Sequence, residues 1–411
     1  MSGEGAIMRI LIKELRRLFD IKLIVILILF SIAYISIYLS IAQKDWSYSS
    51  SPCVVDFHRE LVACFGPELS IDEWDEFMAM RQKIIDEFMD EVRKSPVMAR
   101  HGINTYEKYR EARNKIDELY GENMTKEDKE LHDELFRIEL NDEITCPLSF
   151  KLQDMNWTCD DKEDGSIFTN EENADNIISG IYVSKHSDNY KRRYKLHMTS
   201  DHISLIHDSA ISTIDGDFKW MIILSVIWCF VLIMPYQISE RLRCVRLVKL
   251  PTFTGRKVFD KQAVASVCAG IMTGIILCGV YALLLWRKGA FDFRWCNISL
   301  HCRTYWFDMS YLQYLLLYAL FVILSSVGAA LLSYIVGRLS VNYIAGIGIA
   351  IPISVIYAAV INILGTAPFD MGYNIYQTWS VVRACGVGLV SVFCVIVTCA
   401  MLHRDKVRDI L

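Results

Sequence analysis

The 411-residue chain carries no G-x-x-x-x-G-K-S/T, so it cannot cradle nucleotide phosphates in the P-loop manner. It also lacks a G-x-G-x-x-G turn after a strand, the H-E-x-x-H pair of a zinc protease and the G-x-S-x-G elbow of a serine hydrolase. The nearest approach to a metal motif is Asp160, Asp164, Gly165 and Glu171, spaced like four places of a Ca²⁺-binding loop. Lys162 stands where a third oxygen ligand belongs, and a cation there repels Ca²⁺. No cofactor, no metal and no catalytic role are therefore expected of this chain. Nothing in it repeats internally.

Charge is scarce in a second, more informative way. Six apolar runs reach membrane-spanning length: 21–42, 218–239, 263–286, 311–335, 343–364 and 379–402. Within them stand Lys22 and Lys219, each near one end of its run, and Arg383 one turn into the last, and no carboxylate lies mid-span. Arg383 can snorkel to the interface or serve as a buried functional charge. Ion-driven transporters need intramembrane carboxylates as coupling sites, so energy for any transport must come from a partner. An enzyme working inside the membrane would need paired polar residues in the spans, and they are missing.

The net charge of −5 conceals an asymmetry. Residues 43–217 hold 21 Lys and Arg against 38 Asp and Glu, and the remainder holds 22 against 10. An acidic soluble part is set in a basic membrane part, which suits anionic lipid and not nucleic acid. Lys and Arg number 4 in 1–20, 7 in 240–261, 1 at Arg338 and 3 in the tail. The short segments 287–309 and 365–378 hold 4 and 0. By the positive-inside rule both termini are cytoplasmic, and residues 43–217 form a large domain on the other side. The reading is an α-helical polytopic membrane protein of the cell membrane with six transmembrane helices. Its parts are an interfacial segment 1–20, a first span 21–42, a mainly helical extracytoplasmic domain 43–217, a five-helix region 218–403 and a tail 404–411.

Ahead of the first span, residues 7–20 are amphipathic at helical spacing. Leu11, Leu15 and Leu18 share a face flanked by Ile12 and Phe19, while Lys13, Arg16 and Arg17 form the polar side. Such a helix lies in the interface plane with its cations at the headgroups; the plainer alternative is a basic flank that orients the first span. A cleavable signal is the rival reading of 21–42, with Ser40 and Ala42 as a weak cleavage site, but the run is too long for one.

In the soluble part, Ile71, Trp74, Met78, Ile85, Phe88 and Val92 recur at three and four, predicting a helix over 70–94 that Ser95-Pro96 ends. A second helix is predicted over 103–120. Thr125 and Asp128 form a capping box that starts a third. Residues 148–152 and 177–184 could be short strands, and 188–217 a helix leading into the membrane. Of 13 cysteines, Cys53, Cys64, Cys146 and Cys159 fall in this part, and Cys296 and Cys302 in the later 287–309 segment. If both segments are extracytoplasmic, disulfides can persist there. Local pairing would join Cys53 to Cys64, Cys146 to Cys159 and Cys296 to Cys302, though spacing does not fix connectivity. In the third span Gly270 and Gly274 stand four apart, followed by Gly279, a pattern that lets helix backbones approach closely in lipid. Asn342 and Asn362 bracket the fifth span, in positions to cap or bridge helices, and Pro352 lies within it.

Segment 240–261 lies between the second and third spans. It holds Arg241, Arg243, Arg246, Lys249, Arg256, Lys257 and Lys261 against Glu240 and Asp260. A helical stripe of Leu242, Val245, Val248 and Leu250 ends at Pro251, which cannot continue a helix interior. This reads as a short amphipathic helix able to dock on a soluble partner. The segment resembles the cytoplasmic loop of ABC-2-type transporter permeases, in which a Glu after the second span precedes an apolar stripe, a Pro, an Arg and a Lys. Glu240, Leu250, Pro251, Arg256 and Lys261 stand at matching places, while Arg243 and Cys244 occupy the position of a frequent Gly. The resemblance extends over the interfacial helix and all six spans. It implies a permease subunit of an ATP-driven exporter, working as a homodimer or with a sibling and gripped by cytoplasmic ABC ATPase subunits at this loop. From another class comes a membrane-anchored sensor or surface interaction protein whose 43–217 domain binds a ligand.

Overall fold

A computed structural model of the chain describes residues 3–42, 52–119, 124–139, 199–243, 253–299, 305–371 and 376–408, with Asn374 and a few positions between 148 and 196. Side chains of 3–10, 52–54, 253–257 and 405–408 lie outside this description. The chain divides into two compact units.

The first unit comprises residues 1–48, 209–298 and 305–411. Helix α1 (Gly3–Leu18) is followed by α2 (Ile21–Tyr38), started by Asp20, whose carboxylate accepts from the Lys22 amide at 2.9 Å. The later helices are α8 (Asp208–Leu242), α9 (Phe253–Arg287), α10 (Tyr311–Leu339), α11 (Tyr343–Gly365) and α12 (Gln377–Arg408). Among the described residues six helices, α2 and α8 to α12, are long and apolar enough to cross a membrane. The molecule is an α-helical multi-pass membrane protein. The most apolar stretch of α8 is 72% buried inside the protein, whereas that of α2 is 17% buried. So α8 is the central post of the bundle, and α2 turns most of its surface outward.

Small residues set the closest helix pair. A Cβ built on Gly270 would stand 2.8 Å from the Ser326 carbonyl oxygen, and one on Gly274 would stand 2.8 Å from Ile323 Cα. Hydrogen atoms at these two positions let α9 lie against the backbone of α10, as the four-residue spacing predicts. Asn342 caps α11, its side chain accepting from the Ala345 amide at 2.8 Å. Ser310 and Gln313 cap α10 reciprocally.

The second unit comprises residues 49–208 and 299–304. It holds α3 (Pro52–Phe65), α4 (Trp74–Lys94), α5 (Pro96–Arg100), α6 (Tyr106–Leu119) and α7 (Lys126–Glu139). Two short strands, β1 (Glu68–Ser70) and β2 (His202–Ser204), pair antiparallel with Leu69 opposite Ile203. This pairing ties the end of the unit to its beginning. Phe57, Phe77, Phe88, Val92, Met98, Ile116 and Leu135 form its apolar core. The predicted helices over 70–94 and 103–120 are present as α4 and α6. The capping box is formed as well, with Thr125 N donating to Asp128 at 3.1 Å and Asp128 N to the Thr125 hydroxyl at 3.2 Å. Helix α3 was not expected, and the expected strand at 148–152 is corrected: Leu148, Lys151 and Leu152 are helical. The run 177–184 and the Asp160–Glu171 loop lie outside the described residues. So do Cys146, Cys159, Cys302 and the side chain of Cys53; Cys64 is exposed and Cys296 buried, each as a free cysteine.

Candidate functional site

Segment 240–261 begins and ends at one end of the membrane unit. Residues 244–252, and with them Val245, Arg246, Val248, Lys249, Leu250 and Pro251, lie outside the described residues, as does the side chain of Arg256. The two ends of the segment are described, and they converge on one buried polar cluster. Glu240, in the last turn of α8, is 9% exposed. Gln262, the residue after Lys261, is 2% exposed, and Glu14 of α1 is 4% exposed.

These three meet at Tyr236, one helical turn before Glu240. The Tyr236 hydroxyl lies 2.5 Å from Glu14 Oε2 and 2.8 Å from Glu240 Oε1. Gln262 Nε2 donates to Glu240 Oε2 at 2.9 Å and to Glu14 Oε2 at 3.1 Å. Arg17, one turn after Glu14, pairs with Glu14 Oε1 at 3.3 Å. One hydroxyl proton serves one carboxylate at a time, so the two acids compete for it. The Gln262 amide supplies the second donor between them, and Arg17 offsets part of the charge.

The surrounding contacts hold the same end of the bundle. Arg241 donates from Nη1 to the carbonyls of Leu339 at 2.9 Å and Ser340 at 3.1 Å, which close the last turn of α10. Arg338 is 4% exposed, donates to the Tyr334 hydroxyl at 2.6 Å and stacks over Phe259 at 4.2 Å. Leu242 is 51% exposed and Lys261 half-buried. In α1, Leu18 is buried, Leu11 and Leu15 are half-buried, and Arg16 and Arg17 face outward. The apolar face predicted for this helix is thus present, with Glu14 in the middle of it. Leu11 and Leu18 bracket Glu14 at three and four residues, and that spacing was the available signal for its burial. Its partners, more than 200 residues away, carried none.

The opposite end of the membrane unit has its own buried acids. Asp217 of α8 accepts from Ser40 N at 2.7 Å, the Ser40 hydroxyl at 2.8 Å, Ile41 N at 3.2 Å and the Tyr281 hydroxyl at 3.3 Å. It thereby caps the 3₁₀ turn Ser40–Ala42 that follows α2. Asp215 accepts from the hydroxyls of Tyr314, at 2.7 Å, and Tyr318. Arg383 donates to the Ile363 and Thr366 carbonyls at 2.6 and 2.8 Å and to Asn374 Oδ1 at 2.6 Å. Arg383 thus caps the last turn of α11.

Among the described residues no cluster of His, Cys, Asp and Glu could hold a metal ion. No family model matches the chain, and no curated protein or solved structure matches it.

Proposed function

We propose that the chain is the permease subunit of an ATP-driven exporter of the ABC-2 type, with segment 240–261 as the contact for separate cytoplasmic ATPase subunits. The observation that carries this reading is the Glu14–Tyr236–Glu240–Gln262 cluster. It fastens both ends of the basic segment to the interfacial helix, so a push on the segment moves α1, α8 and α9 together. A purely membrane-anchoring bundle has no use for a polar joint at that place, and burying carboxylates is costly unless the geometry is put to work. Leu242, Val245, Val248, Leu250 and Pro251, with Arg246, Lys249 and Arg256, supply the contact surface. Closure of the ATPase subunits on ATP rocks two permease copies, or a permease and a sibling, and moves an amphiphilic or apolar substrate outward. In this reading both termini are cytoplasmic and residues 43–217 extracytoplasmic.

The test is Pro251→Leu combined with Arg256→Glu in the native membrane. Insertion should persist while transport-linked ATPase activity falls to the uncoupled level. Unchanged activity would remove the assignment of this segment.

A further inference from the structure

Between α8, α9 and α10, toward the end of the bundle where Asp217 lies, is a cavity of about 450 Å³. Its inner wall is made by buried side chains, among them Phe218, Met221 and Val322. Its mouth is between α9 and α10, where Ile275 and Leu316 are 55% and 61% exposed. Small residues on both helices, Gly279, Ala282 and Ala319, make the space. A Cβ added at Gly279 meets nothing within 4 Å, in contrast to Gly270 and Gly274 two and one turns or so earlier.

The walls offer a ligand almost nothing polar. Two tyrosines line the cavity, Tyr281 and Tyr318, and their hydroxyls are turned to Asp217 and Asp215. Water is held in such a space only where two or more polar partners are available. An empty void this large would forfeit dispersion contacts along all its walls. The volume is within the range of ligand sites that bury a small molecule. What a membrane supplies in quantity at an apolar mouth between two spanning helices is an acyl chain.

The rim says more about the molecule attached to that chain. Leu285 and Phe291 line the cavity, and exposed Arg287 and Arg294 stand two and three residues from them. Arg294 Nη1 donates to the Phe291 carbonyl at 3.4 Å, which keeps its side chain at the rim. Trp286 and Trp295, 68% and 62% exposed, flank these cations, as residues at a membrane–water interface do. Guanidinium groups pair with phosphate in a fork geometry. We propose that the cavity is a phospholipid site: one acyl chain lies between α9 and α10, and the headgroup phosphate sits by Arg287 and Arg294. The site does not depend on the chain being a permease.

The experiment uses the full chain in nanodiscs of phosphatidylcholine containing a small fraction of phosphatidylglycerol with a diazirine on one acyl chain. After illumination, labelled peptides are mapped. Label should concentrate on 275–285 and 312–323, above the level on the exposed α11 residues Ile351 and Val355. Gly279→Leu, which fills the cavity from α9, should bring that label down to the α11 level. Ala319→Leu fills it from α10 and serves if the first variant does not insert. Arg287→Gln with Arg294→Gln should reduce the label without abolishing it. Even labelling of all exposed helix faces would overturn the proposal, as would undiminished label in both filling variants.

Discussion

Glu14 and Glu240 both stand within hydrogen-bond distance of one hydroxyl, that of Tyr236, at 2.5 and 2.8 Å, although 226 positions separate them in the chain. The consequence is energetic. Tyr236→Phe removes a partner from both acids at once and leaves buried polar atoms unsatisfied, a loss of about 1–3 kcal/mol. Glu240→Gln neutralises one acid and is expected to cost less. In a double-mutant cycle Tyr236→Phe and Glu240→Gln should couple by about 0.5–3 kcal/mol. Thermal denaturation in detergent measures it, and additive losses would mean the cluster is not one unit.

The glycines of α9 separate into two roles. Gly270→Val or Gly274→Val places atoms where the α10 backbone already stands, and should destabilise by about 1–3 kcal/mol. Gly279→Ala points into open space and should be neutral or slightly stabilising, since it removes the backbone freedom of a mid-helix glycine. Relative melting temperatures of the three variants check the order.

Arg383 holds carbonyls of α11 and the side chain of Asn374, whose amide in turn bonds the carbonyls of Ala367, Pro368 and Asp370. Arg383→Met should cost about 1.5–3 kcal/mol, in the range of hydrogen bonds to charged groups. Arg383→Lys should rescue little of it, because an ammonium cannot span three acceptors held by a fork. Limited proteolysis in the 366–376 segment reports the loss directly.

The second unit has an acid-sensitive joint. The hydrogen bond from Arg137, and then that from Ser95, hold Glu134 down at about 2, below the ordinary carboxylate value. Ser95 ends α4 and starts α5, so its 2.5 Å bond to Glu134 fixes α7 against that corner. A depressed carboxylate stabilises the fold fully above its unfolded value and loses that contribution as pH falls toward 2. Melting of the wild type should therefore drop through about pH 4 to 2, and Glu134→Gln should flatten that limb while lowering stability at neutral pH. An unchanged acid limb in the variant would show that other carboxylates set it.

Local patterns were legible in the sequence and distant pairings were not. The six spans, the Thr125 capping box, the Asn342 cap and the Gly270–Gly274 approach each depend on residues a few positions apart. Glu240 was singled out from its place after the second span, and it is in the cluster. Gln262 carries no local signal, and Glu14 only its place between Leu11 and Leu18; the contacts that join them come from distant positions. Asp215 and Asp217 precede the apolar run of α8 and read as part of the soluble domain; their tyrosine and serine partners come from other helices. Arg383 was noticed as an isolated charge, but its acceptors are main-chain carbonyls, which leave no mark on a sequence.

The most direct measurement is purification of the tagged chain from its native membrane in mild detergent, with identification of what accompanies it in fixed ratio. The account predicts a P-loop ATPase that is released when Pro251 and Arg256 are substituted and retained when Gly279 is. A chain that purifies alone, or with a soluble regulator bound to residues 43–217, would contradict it and turn attention to ligand binding by the second unit.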